Sequence, residues 1–218
     1  MIMMRTFHCI IISLSLTACA SSSPYKLSSL PYKESDLKTS SRSIASVDSN
    51  KKKSTSSYLS LELPYTAFEK LRTELEKSQH VSLQHRGEAH ITVITPPEYK
   101  KIQKKVSMKE INALAEQMDL KKAPYKLLCV GQGKVEDRGH KESTYYVVVE
   151  SDRLFQIRKA VQLLYTSKGG SAQDFNPEAF YPHVTLGFTK RDLHLEDGVI
   201  KDASSCIYSL RPEESAKN

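Results

Sequence analysis

Gly87-Glu88-Ala89-His90-Ile91-Thr92-Val93-Ile94-Thr95-Pro96-Pro97-Glu98 is the stretch on which the reading of this chain turns. Its centre alternates. Side chains at i and i+2 of a strand point to one face, so His90 and Thr92 project together while Ile91 and Val93 project to the other. The apolar face packs inward. The opposite face carries an imidazole and a hydroxyl, which need water or a ligand. Pro96-Pro97 ends the strand. Nearly a hundred positions later the pattern returns as Tyr181-Pro182-His183-Val184-Thr185-Leu186-Gly187-Phe188. His183 and Thr185 again share a face, and Tyr181 falls on it too. A third His-x-Ser, His80-Val81-Ser82-Leu83, lacks the alternating strand around it.

Working outward, the first half opens with the alternating strand Tyr58–Leu63, stopped by Pro64. Thr66 and Glu69 have capping-box spacing before a helix with Phe68, Leu71 and Leu75 on one face. A second box, Ser107 and Glu110, precedes a helix that aligns Ile111, Leu114, Ala115 and Met118. The second half begins with a strand at Tyr125–Val130 and reads Gly131-Gln132-Gly133 as a turn or bulge. The strand Tyr145–Val149 follows, then a helix from Ser151-Asp152 with Leu154, Ile157, Val161 and Leu164 at helical spacing, ended by Gly169-Gly170. Strands at Tyr181–Phe188 and Cys206–Leu210 complete it. Each half offers strands, amphipathic helices and one strand bearing His-x-Thr. The fold class is therefore α+β, pseudo-duplicated, with helices covering one face of a sheet.

The N-terminus reads as an address. Met1–Arg5 is a short basic start, Phe7–Leu16 is mostly apolar but too short to span a bilayer, and Leu16-Thr17-Ala18-Cys19 resembles a bacterial lipobox. That resemblance implies a signal peptide over residues 1–18, cleavage before Cys19 and a lipid on its thiol. It also implies a lipid-anchored envelope location, in the outer membrane facing the periplasm if the source is diderm, since Ala20 follows the cysteine. Residues 19–57 read as a Ser/Lys-rich disordered tether, 58–212 as the folded domain and 213–218 as a disordered tail. Much of the net charge of +7 sits in the tether, where Lys26, Lys33, Lys38, Arg42 and Lys51–Lys53 face only Glu34, Asp36 and Asp48. The domain itself is close to neutral, so long duplex nucleic acid is not an expected partner. Cys129 and Cys206 lie in apolar, strand-like surroundings. They read as two buried thiols, although an oxidising envelope leaves a disulfide open.

Two imidazoles on one cleft suit acid–base chemistry near neutral pH, and two flanking hydroxyls suit hydrogen bonding to phosphoryl oxygens. At these residues the chain resembles the two-histidine (2H) phosphoesterase superfamily, in particular its Swiss-army-knife RNA-repair-like branch, over most of residues 58–210. The resemblance implies a bilobal fold of two antiparallel sheets lining a cleft with helices on the outer faces. It implies that His90 and His183 are catalytic and that Thr92 and Thr185, with Tyr181 beside them, bind the phosphate. It implies a phosphodiesterase for a small nucleotide or RNA-end phosphodiester such as a 2′,3′-cyclic phosphate. No metal and no other cofactor is called for, and a monomer is expected. The alternative is an envelope lipoprotein that binds a nucleotide or phosphate in the same cleft without turnover. A purely structural lipoprotein would instead keep the two histidines apart. A His-based metal site lacks convincing third and fourth ligands nearby in sequence. His85-Arg86 and Lys190-Arg191 are weaker phosphate candidates, and His140 and His194 read as surface histidines.

Overall fold

The computed structural model describes residues 43–46, 57–137 and 139–210. The residues read as a signal peptide, Cys19, the rest of the segment read as a tether, and residues 211–218 with the stretch read as a tail lie outside the described residues. Within the segment read as a tether, Ser43–Ser46 runs as strand β1 along the edge of the first sheet.

The chain is α+β with two antiparallel sheets. The first sheet has the order β1-β2-β3, with β2 at Leu59–Leu63 and β3 at Ala89–Ile94. The second has the order β6-β5-β4-β7, from β4 (Lys126–Asp137), β5 (His140–Glu150), β6 (His183–Phe188) and β7 (Cys206–Ser209). The helices are α1 (Tyr65–Gln79), α2 (Pro96–Ile102), α3 (Met108–Gln117) and α4 (Asp152–Ser167). The duplication is visible in the connections. In each half a helix links two antiparallel neighbours, β2–α1–β3 and β5–α4–β6, and the second strand of each unit carries His-x-Thr.

Burial follows the alternation. Ile91, Val93 and Val184 are fully buried and Leu186 nearly so, while His90, Thr92, His183 and Thr185 are half-buried. α1 buries Phe68, Leu71 and Leu75, α3 buries Ile111 and Ala115, and α4 buries Leu154, Ile157 and Val161. All belong to one core shared by both sheets. At about 0.8 kcal/mol per buried methylene, this packing drives the fold.

β3 and β6 run side by side where the sheets meet. Gln84, ahead of β3, exchanges both backbone hydrogen bonds with Phe188 at the end of β6, at 2.8 and 3.0 Å. Gly187 makes that approach feasible, because a Cβ there would lie 2.9 Å from the Gln84 carbonyl oxygen. The two lobes are thereby stitched beside the second motif.

Several local expectations change. α1 starts at Tyr65 with Pro64 in the extended cap position and no side-chain cap, so Thr66 lies inside the helix and the Thr66/Glu69 box does not form. The functioning box is at Thr95 and Glu98: Thr95 N–H and Oγ1 both donate to Glu98 Oε2 at 2.8 Å, and Thr95 Oγ1 accepts from Glu98 N–H. Pro96-Pro97 thus opens α2 as well as ending β3, since proline's missing N–H is no loss in a first turn. The Ser107/Glu110 box forms as read. Gly131-Gln132-Gly133 is not a turn but lies within β4, and the register of the pairing with β7 shifts between Val130 and Gly131, the irregularity that the bulge reading anticipates. A Cβ at Gly131 would come 2.5 Å from Tyr146 Cε2, so glycine is needed for strand packing.

Cys129 and Cys206 form a disulfide with Cα atoms 5.7 Å apart, which corrects the reading as two buried thiols. Cys129 is buried but Cys206 is exposed. β7 returns to pair with β4, with Gly131 opposite Cys206 and Cys129 opposite Ser209, and this long-range pairing brings the two sulfurs together.

Candidate functional site

A cleft of about 530 Å³ opens between the lobes, and His90, Thr92, Tyr181, His183 and Thr185 all line it. The five residues nominated from sequence are therefore brought together, four from β3 and β6 and Tyr181 from the segment just ahead of β6. His85, Arg86 and His194 also reach the cleft wall. Lys190 and Arg191 turn instead to Glu142 and Asp197, and His140 sits exposed at the start of β5, so these three do not contribute.

The two motifs sit in different surroundings. On β2, Glu62 and Ser60 lie opposite His90 and Thr92, with Ser60 Oγ donating to Glu62 Oε1 at 2.9 Å. The Tyr58 ring lies 5.9 Å from the His90 ring, and burial followed by the Glu88 and Glu62 carboxylates raises the Tyr58 phenol above its ordinary range. His90 Nδ1 is buried without a hydrogen-bond partner and faces Glu88 Oε1 at 3.6 Å.

His183 is more tightly held. Val148 and Tyr146 lie opposite His183 and Thr185 on β5, and the Tyr146 ring meets the His183 ring edge-on at 5.7 Å. Nδ1 lies 2.7 Å from the Tyr181 carbonyl oxygen. A carbonyl only accepts, so Nδ1 carries the hydrogen and the lone pair is on Nε2. Lys201 Nζ donates to that lone pair at 3.2 Å. The pairing fits only a neutral imidazole, because an Nε2–H would point at an ammonium. The charges agree: burial first and the Lys201 charge second hold His183 far below the ordinary histidine range, against the Tyr181 carbonyl and Asp192.

Lys201 and Asp192 are the residues that sequence reading missed. Lys201 Nζ donates to Asp192 Oδ1 at 2.9 Å with its side chain only 3% exposed, and Thr185 Oγ1 donates to Asp192 Oδ2 at 3.4 Å. Burial lowers the Lys201 ammonium, although Asp192 opposes this. Burial also works against the Asp192 charge, but Lys201 outweighs it and the carboxyl stays below its usual range. His183, Lys201, Asp192 and Thr185 are thus linked in a chain of polar contacts on one wall of the cleft. Asp192 and Lys201 come from the loop between β6 and β7. Thr144 on β5 anchors that loop by accepting from Leu193 N–H at 2.8 Å and donating to the Arg191 carbonyl. The nearby Lys190-Arg191 pair drew attention in the sequence, whereas Lys201 looks like an ordinary loop lysine.

No cluster of three or more His, Cys, Asp or Glu suited to a metal ion occurs among the described residues.

A family model described as "Swiss Army Knife, 2H phosphoesterase domain" matches residues 57–194, more than half of the chain and both His-x-Thr strands. The chain belongs to this family of 2H phosphoesterases, and the family makes it a phosphodiesterase. No curated protein and no solved structure matches.

Proposed function

We propose that the cleft hydrolyses a small nucleotide or RNA-end phosphodiester, such as a 2′,3′-cyclic phosphate, by metal-independent general acid–base catalysis. The observation that carries this reading is the convergence of two imidazoles and two threonines, from separate lobes, on one cleft open to solvent. His183, neutral with its lone pair on Nε2, takes the proton of the attacking water. His90 gives a proton to the departing ribose oxygen, so the P–O bond to water forms as the P–O bond to the ribose breaks. Thr92 and Thr185 donate to the non-bridging oxygens, and Tyr181 flanks the site from the same side. The cavity volume lies within the range of small-ligand sites, which favours a nucleotide over a polymer. The lipobox reading adds a lipid anchor at Cys19 and an envelope location.

The test is turnover of 2′,3′-cyclic mononucleotides by the purified protein. Wild type should cleave them, and His90→Ala and His183→Ala should each abolish cleavage. Full activity in either variant would end the assignment. Tight binding of an uncleaved nucleotide by wild type would replace it with the reading as a binding protein.

A further inference from the structure

Lys201 lies beyond the residues matched by the family and has no place in the two-histidine scheme, yet it is the one lysine among the described residues buried against a motif histidine. A buried lysine is costly unless its charge is used or paired. Its pairing here is incomplete. An ammonium has three donors; Asp192 and His183 Nε2 take two, and the Tyr146 ring lies 5.3 Å below the nitrogen. Lys201 also borders the cleft in company with Thr185 and His90.

We propose that Lys201 is a third catalytic group, the cation that binds a non-bridging oxygen of the substrate phosphoryl group beside His183. In the structure its ammonium donates to Nε2. An anionic phosphoryl oxygen is a stronger acceptor than a neutral imidazole, so substrate draws this donor from Nε2 to the phosphate. The lone pair is then free to take the proton of water, and the anion offsets the positive charge that opposed protonation. Binding the substrate and uncovering the base become one event. Asp192 keeps the ammonium at this depth, and Thr185, whose single O–H rests on the same carboxylate, turns that hydrogen to the adjacent phosphoryl oxygen when substrate binds. A fixed donor aimed at developing phosphoryl charge contributes on the order of 10²–10³-fold in rate.

The inference rests on the phosphodiesterase reading, and its test separates the two. Lys201→Met alone leaves Asp192 buried without its cation and endangers folding, so the decisive variant is the charge-balanced Lys201→Met/Asp192→Asn. Two quantities are measured: kcat/KM on a 2′,3′-cyclic mononucleotide, and affinity for inorganic phosphate by calorimetry. The double variant should lose on the order of 100-fold in kcat/KM and at least about tenfold in phosphate affinity. In the unaltered protein, phosphate should shift the Lys201 side-chain resonance. Retention of phosphate affinity by the double variant, or an unmoved Lys201 resonance at saturating phosphate, overturns the proposal. If wild type does not cleave the nucleotide, the phosphodiesterase reading falls, and the phosphate titration and the resonance still decide for or against Lys201 as an anion ligand.

Discussion

Arg158 of α4 grips Glu98 of α2 through both arms of its guanidinium, Nη2 to Oε1 at 2.7 Å and Nη1 to Oε2 at 3.1 Å. The same fully buried side chain donates to the carbonyls of Val93, Pro177 and Asn176, and lies between the rings of Phe175 and Phe180. Val93 adjoins Thr92 on the first motif strand, and the 176–180 loop leads into the second. One cation therefore sets the spacing of the two motifs. Every donor is used, as burial of a charge requires.

Arg158→Ala should destabilise the protein by about 3–5 kcal/mol, the usual cost of stranding one partner of a buried ion pair. Arg158→Lys should recover only part of this, because an ammonium cannot span Glu98 and three carbonyls in one plane. Urea denaturation measures both. Loss of less than about 1 kcal/mol in Arg158→Ala would show that the lobes are held together by apolar packing alone.

Much of this architecture is legible in the sequence, and the parts that are not share a cause. The motif strands declare themselves because alternation is local and one face is polar. The Ser107/Glu110 cap does so for the same reason. Thr66/Glu69 and Thr95/Glu98 have identical spacing, and only the second caps a helix. The difference is which residue adopts the extended backbone outside the first turn, and Pro64 takes that place ahead of Thr66. Arg158 follows Ile157 on an amphipathic helix and looks like an exposed position. Only the approach of α2 and the 176–180 loop makes it the centre of the molecule. Lys201, Asp192 and the Cys129–Cys206 bridge depend on where the β6–β7 loop lands, and pairing between distant segments leaves no periodic trace.

Opening the Cys129–Cys206 bridge should matter for stability. The linked residues are 77 positions apart, and closing a loop of that order stabilises by about 2–5 kcal/mol. The bridge also fastens β7 at the end of the loop that carries Lys201. Reduction, or Cys129→Ser/Cys206→Ser, should lower the thermal midpoint by several degrees. An unchanged midpoint under reducing conditions would mean that the β4–β7 pairing holds without the covalent link.

Chelation should leave activity intact. The acid, the base and the phosphate donors of the proposed reaction are all side chains, so no step waits for a metal. Turnover after exhaustive treatment with EDTA should match that of the untreated enzyme. Loss of activity that returns on adding a divalent ion would refute the metal-independent mechanism.

The two threonines should not be equivalent. Thr185 Oγ1 is already directed by Asp192, whereas Thr92 lies opposite Ser60, itself bonded to Glu62. Each hydrogen bond to a charged phosphoryl oxygen is worth about 1.5–3 kcal/mol, so Thr92→Ala and Thr185→Ala should each lower kcat/KM by roughly 10- to 100-fold. Thr185→Ala also removes a donor to Asp192, so it alone should alter the pH dependence of kcat/KM. Identical pH profiles in the two variants would argue against the chain of contacts that joins Thr185 to His183.

His183 gives the protein a pH dependence of stability with a defined sign. Its imidazole titrates near 6.5 in the unfolded chain and at about 3 when folded, because burial and then the Lys201 charge oppose protonation; Asp192 and His194 are its other charged neighbours. Between these values the unfolded chain binds a proton that the folded protein does not. Stability is therefore fully present above pH 6.5 and declines as the pH falls, by up to about 1.4 kcal/mol per pH unit. The carboxylates Glu110, Asp192, Asp197 and Asp202, whose folded values are depressed, act in the same direction, beginning at roughly pH 5. The interval from roughly pH 6.5 to 5 therefore lies above the range of these carboxylates and carries the His183 contribution. Urea midpoints should fall across it in wild type, and His183→Asn should flatten the slope. A midpoint constant from pH 7 to 5, or an equal slope in His183→Asn, would show that this imidazole is free to protonate in the folded protein and is not held as the neutral base.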